Sequence, residues 1–189
     1  MKKTVAAIFF IFAGINVWAQ ALSWDVKLLY GRNWESKPIN RRIDMEAGET
    51  FLIQIKPASD CYCYIVVYDL DRQISVIYNE GLRAEQEINI GPIEVDNKSG
   101  TDTLYVIMSL ERQTKLETLI TNFNNNPGSM QYADDLRTEV INLQTRAAGL
   151  GEPSHAFILG GGSTRGGSEE YINRYTEKNM YVRPIMIRH

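Results

Sequence analysis

Residues 61–78 read Cys61-Tyr62-Cys63-Tyr64-Ile65-Val66-Val67-Tyr68, Asp69-Leu70-Asp71-Arg72-Gln73, then Ile74-Ser75-Val76-Ile77-Tyr78. The first run is apolar or aromatic at every position, as in a strand covered on both faces. The acidic stretch from Asp69 to Arg72 reads as a turn. Ile74, Val76 and Tyr78 return in period two, so the whole reads as a β-hairpin. Asn79-Glu80-Gly81 is expected to end it.

The same period recurs on either side. Trp24, Val26, Leu28 and Tyr30 alternate with Asp25, Lys27 and Leu29. Phe51, Ile53 and Ile55 alternate with Leu52, Gln54 and Lys56 and stop at Pro57. Leu104 to Met108 is a further strand. Glu87 to Val95 is weaker and broken at Gly91-Pro92. The polar run from Arg32 to Arg42 reads as a loop, and Ala47-Gly48-Glu49 and Asn97 to Thr101 as turns. Tyr181 to Ile187 reads as a last strand, placed by Pro184 at an edge or an irregular position.

Between these strands the period changes. Leu116, Leu119, Ile120 and Phe123 fall at helical spacing. Asn124 to Gly128 breaks the run, and Ser129 is placed to cap a second helix. Its apolar stripe is Tyr132, Leu136, Val140, Leu143 and Ala147, and Gly149 and Gly151 stop it. Ala156 to Leu159 is a short apolar run before the glycine-rich stretch from Gly160 to Gly167.

The expectation is therefore a mainly β, α+β chain: an antiparallel β-sandwich-like domain over residues 20–189 with a two-helix insertion near 110–149. Its core should hold Val26, Leu28, Phe51, Ile53, Ile55, Ile65, Val67, Ile74, Val76, Leu104, Val106 and Met108.

The first residues have the form of a secretory signal. Lys2 and Lys3 give a positive start, and an apolar run follows from Val5 to Val17. A cut falls after Ala19 or Ala21. An uncleaved anchor is the competing reading, but the run has about 13 residues where a spanning helix needs roughly 20. The expected location is the periplasm or beyond. The mature chain has no further segment apolar enough to span a membrane. Removing Lys2 and Lys3 takes Lys and Arg from 20 to 18 against 23 acids, a net charge near −5. Such a chain has no electrostatic footprint for nucleic acid.

The order of parts from Ala47 to Leu110 resembles a bacterial family known as domain of unknown function 4384. Glu46-Ala47-Gly48-Glu49 looks like the step that opens its first strand. Cys63 to Asp69 looks like its central strand, an aromatic before an aliphatic run and an acidic turn. Ile74 to Asn79 looks like the returning strand, with Tyr78 where the family often has Pro. Arg72-Gln73 stands where a turn Gly is usual. Ile93-Glu94-Val95, Gly100-Thr101 and Leu104 to Ser109 look like its closing strands. The resemblance covers about a third of the chain. It implies a bacterial envelope protein and carries no catalytic residues.

Several patterns invite a chemical reading. Gly160 to Ser168 has the glycine spacing that starts a phosphate loop, but Gly167 stands where the lysine belongs, and Arg165 is the only cation. A flexible loop that binds no nucleotide is expected. Asp69-Leu70-Asp71 begins like a calcium loop, but Gln73 and Ile74 break its pattern. Cys61, Cys63, His155 and His189 are the only Cys and His residues. The two cysteines sit at i and i+2 on one strand face, about 7 Å apart at Cα, beyond ordinary disulfide reach. They read as buried small hydrophobes, with strained or intermolecular pairing as the other possibility. Glu169-Glu170 reads as a solvated pair of acids.

No catalytic residue, cofactor-binding residue or metal ligand is assigned, and no cofactor is expected. The ten tyrosines and the tryptophans either fill a sandwich core or line a glycan or peptide surface. Trp18 belongs to the signal segment. The functional expectation is an exported, non-catalytic envelope module whose partner is another envelope protein. An extracytoplasmic hydrolase with an unrecognised site, or a glycan- or peptide-binding aromatic face, are the alternatives.

Overall fold

The computed structural model describes residues 21–31, 34–37, 39, 42–69, 71, 73–95, 98–150, 154–160 and 170–189. The expected signal segment and most of the Gly160–Gly167 stretch lie outside the described residues.

Strand β1 (Leu22–Tyr30) alternates buried and half-buried along its whole length. The period-two pattern thus turns Leu22, Trp24, Val26, Leu28 and Tyr30 inward. Strand β2 (Glu35–Lys37) falls within the stretch expected to be a loop, and β3 (Arg42–Asp44) begins at its last residue. Each is three residues long and has no period of its own. β2 is fixed by pairing with the end of β1, and β3 by a parallel pairing with the last strand. Tertiary neighbours create both.

The chain continues through β4 (Thr50–Pro57), β5 (Cys61–Tyr68), β6 (Ile74–Leu82), β7 (Ile88–Glu94) and β8 (Thr101–Ser109). The hairpin closes where expected. Asp69 N–H donates to Gln73 O at 3.0 Å, and Gln73 N–H donates to Asp69 Oδ1 at 2.7 Å. β6, however, runs past Asn79-Glu80-Gly81 to Leu82, because that segment still pairs with Tyr64, Cys63 and Tyr62. β7 likewise runs through Gly91-Pro92. The interruption there is a register shift against Phe51 and Ile53 of β4. Gly91 has φ +120°, and a Cβ there would meet Ile93 N and Phe51 O at 2.9 Å, so the position requires glycine.

Helices α1 (Thr114–Asn125) and α2 (Met130–Ala148) form the insertion, between β8 and β9 (Ser154–Gly160). Ser129 is the N-cap of α2, but its hydroxyl makes no capping hydrogen bond. The last strands are β10 (Glu170–Glu177) and β11 (Met180–Arg188). β10 has no counterpart in the sequence expectation, yet it lies inside a sheet.

The strands form two sheets. The first has the order β7-β4-β1-β10-β9, with β2 beside β1, and the second β3-β11-β8-β5-β6. All pairings are antiparallel except β3 with β11. β11 is thus not an edge strand as a whole. β3 pairs with it at Met186–Arg188, so Pro184, which lacks an N–H, lies beyond that pairing among the described residues.

Side chains of both sheets meet in one apolar layer, including Trp24, Leu28, Ile53, Ile65, Leu104 and Ile185. A second apolar layer lies between the outer face of the second sheet and the helices. It joins Tyr64, Val66, Ile74 and Ile107 to Leu116, Ile120, Leu136, Val140 and Leu143. β5 is therefore buried on both faces. The expected core residues are buried except Val67 and Val76, which are half-buried against these layers. The chain is mainly β, a sandwich with a helical layer on one side, and no described helix is long and apolar enough to cross a membrane.

Candidate functional site

The alternation of β5 sends Cys61, Cys63 and Ile65 into the sandwich and Tyr64 and Val66 under the helices. Both thiols are free and buried. Burial, with a smaller contribution from the Asp60 carboxylate, pushes the Cys61 thiol up to about 11. Burial pushes Cys63 up further, with Cys61 adding to it. Neither is a thiolate at neutral pH, and a thiol cannot do the work of one. His155 lies on β9 and His189 follows β11, so neither histidine shares the strand of the two cysteines. The His189 imidazole is buried with Nε2 3.3 Å from Asp102 Oδ2. Among the described residues no three His, Cys, Asp or Glu side chains gather around a possible metal position.

The two acids of the hairpin turn are engaged separately. Asp69 closes the turn, and Asp71 pairs with Lys98. Arg165, Ser168 and Glu169 lie outside the described residues. Glu170 begins β10.

A polar junction that the sequence did not point to joins the second sheet to α1. The buried Tyr64 hydroxyl donates to Glu117 Oε1 at 2.9 Å and accepts from Gln113 N–H at 3.0 Å. Glu117 Oε2 accepts from Arg112 Nε at 2.6 Å, and Gln113 Nε2 donates to Ser109 Oγ at 3.0 Å. Gln113 is the N-cap of α1, and its side chain gives no cap. The sheet's phenol thus takes up a backbone N–H that the helix end leaves over, while the Glu117 carboxylate sits in the first turn, where the helix dipole favours it. Burial raises the Tyr64 phenol well above its ordinary range, and its bond to Glu117 also raises it, against the bond from Gln113. A neutral phenol held by a carboxylate is a clamp and a poor proton donor to anything else. The groove outside, about 300 Å³, is lined by Arg112, Thr114, Glu117, Thr118 and Thr121. The Thr118 and Thr121 hydroxyls donate to helix carbonyls. Its groups serve the helix.

Aromatic residues gather inside the sandwich. Trp24 stacks on Tyr175 at 5.5 Å between centroids and meets Tyr181 edge-on at 4.6 Å. The Arg183 guanidinium lies 5.3 Å from the centre of the Tyr175 ring and donates to its hydroxyl. These rings fill the core, as one of the two aromatic readings expected.

The remaining feature is an edge. The ends of the two sheets are β7, β9, β3 and β6. β7 carries Pro92 and a register shift, and β3 has three residues; both resist strand addition. β6 has nine residues and no proline or lysine, and among the described residues it pairs with β5 on one side only. Ser75, Asn79, Glu80 and Gly81 are exposed along it, and Val76, Ile77 and Tyr78 half-buried.

No family model, curated protein or solved structure matches the chain.

Proposed function

We propose that the chain is an exported, non-catalytic module of the bacterial envelope that binds another protein by strand addition to β6. The carrying observation is that edge: nine residues, with backbone groups on one side facing away from the sheet. A partner segment laid along it gains main-chain hydrogen bonds, and half-buried Val76, Ile77 and Tyr78 offer side-chain contacts beside them. The form of residues 1–21 and the likeness of residues 47–110 to domain of unknown function 4384 support the envelope location.

The test is recovery of a partner from an envelope fraction after mild crosslinking, with the wild type and with the double variant Ser75→Lys, Asn79→Lys. Both residues are exposed, so the variant should melt like the wild type while its charges block the edge. The expected result is one partner held by the wild type and lost by the variant, with amide exchange along residues 74–82 slowed in the complex. Recovery of the protein alone, or equal recovery by the variant, defeats the reading.

A further inference from the structure

The β6 edge is not uniform along its length. Tyr78 lies opposite Ile65 and Val76 opposite Val66, so Ile77 has no partner on β5 and a bulge divides the strand. Beyond it, Tyr78 to Leu82 pair with Ile65 to Cys61 without interruption. This stretch is the longest regular part of the edge. Its period turns Tyr78 and Leu82 to the sandwich face, Leu82 buried and Tyr78 packed against the layer between the sheets. Glu80 shares that face, opposite Cys63, and is exposed. It is the only charged residue of β6. Lys56 is held by Glu85 and Lys98 by Asp71, and among the described residues no cation pairs with Glu80. On the other face Gly81 leaves room beside the half-buried Tyr62: a Cβ there would lie 3.7 Å from Tyr62 Cε1.

We propose that the strand added to β6 carries a lysine or arginine opposite Glu80, between two apolar residues opposite Tyr78 and Leu82. The inference rests on the β6 reading above and names the chemistry of its partner. Across a strand pair opposite charges attract and like charges repel. A charge turned toward the sandwich face of an edge strand also hinders unselective pairing. A partner without a cation covers the carboxylate and leaves it uncompensated, which sets such partners apart from a cationic one. A second copy of the chain is excluded by the same acid. Two-fold antiparallel pairing centred on residues 78–82 sets Glu80 against Glu80. On the opposite face a small residue beside Gly81 meets the Tyr62 ring.

The test titrates isotope-labelled protein with two end-blocked peptides and follows the backbone amide shifts. One is Thr-Val-Thr-Lys-Thr-Val-Thr, and the other has Glu at its centre. The Lys peptide should shift residues 78–82 and bind roughly fivefold more tightly than the Glu peptide. Glu80→Gln should bring the two level, and Glu80→Lys should reverse their order. A general attraction of the negatively charged chain for a cationic peptide would survive either change. Glu80 is exposed, so both variants should melt like the wild type. The free protein should sediment as a monomer. Equal binding of the two peptides at residues 78–82, or an order that Glu80→Lys does not reverse, overturns the charge rule and leaves the edge reading standing. Shifts by neither peptide within residues 74–82 overturn both. A dimer that protects residues 78–82 makes a second copy the occupant and overturns the proposal.

Discussion

Lys115 of α1 and Glu139 of α2 form an ion pair across the helical hairpin in which only the acid is buried. The Lys115 side chain is 71% exposed and that of Glu139 5%. Arg146 adds a second contact at 3.5 Å. The lysine keeps its water, so the pair's cost falls on the carboxylate. Removing the lysine leaves a buried charge with one long contact. Lys115→Met is expected to destabilise the protein by about 1–3 kcal/mol in urea unfolding. Adding Glu139→Leu, which extends the stripe of Leu136, Val140 and Leu143, should recover most of that loss. If the double variant is no more stable than the single, the pair is not the cause.

Tyr64→Phe removes one hydroxyl that bonds both Glu117 and Gln113. The ring still fills its place, so the cost is that of the polar junction, about 1–2 kcal/mol. The local readout is the first turn of α1, whose amides should exchange faster while those of β8 do not. Unchanged exchange at residues 113–117 would show that the phenol does not hold the helix end.

The thiols give a pH dependence. The Cys61 thiol has a folded value of about 11 against 9.0 for an unburied cysteine. The folded state therefore keeps a proton that the unfolded chain gives up. The resulting stability is complete below pH 9 and disappears as pH rises through about 11. Half-buried Tyr78 acts in the same direction, pushed up to about 12 by burial and nearby Glu80. Alkaline urea titrations should show stability falling from pH 9 upward, with a shallower fall in Cys61→Ala. At pH 8 an aromatic disulfide reagent should react with neither Cys61 nor Cys63 until the protein is unfolded. Fast reaction of the native protein would place a thiol at the surface.

Two glycines separate backbone conformation from space. Gly128 has φ +89° with nothing within 4 Å of an added Cβ, whereas Gly91 has φ +120° and backbone atoms at 2.9 Å. Gly128→Ala should cost about 1–2 kcal/mol, and Gly91→Ala about 2–4 kcal/mol, because β4 and β7 must also move apart. Equal losses would mean that the close approach to Phe51 O is not maintained in solution.

The strands whose burial follows one sheet face were legible. β1, β4 and the 61–78 hairpin each carry an apolar period that survives in the structure, and both helices fall where their stripes place them. β10 was not legible. Its inward positions include Asn173, Tyr175 and Glu177, all buried, while the apolar Ile172 falls on the other face, so no apolar period marks it. β2 and β3 exist only through their neighbours. The end of β6 was misplaced because Asn79-Glu80-Gly81 has turn composition, while the pairing with β5 keeps it extended. The site residues were hidden by distance along the chain. Tyr64 and Glu117 are 53 positions apart, and Trp24 meets Tyr175 and Tyr181 from the other end of the sequence.

The pairing of β1 with β10 sets a condition on folding. Leu22 lies opposite Glu177, and Val26 opposite Asn173, so the earliest described strand has its neighbour about 150 positions later in the chain. β8 likewise finds β11 only after the helical insertion has been passed. A chain stopped at residue 169 would leave both sheets open through their middles, with Trp24 and Leu104 uncovered. Local contacts can form the 61–78 hairpin and the two helices early, but the sandwich closes only once β10 and β11 have been made. Such non-local closure is slow.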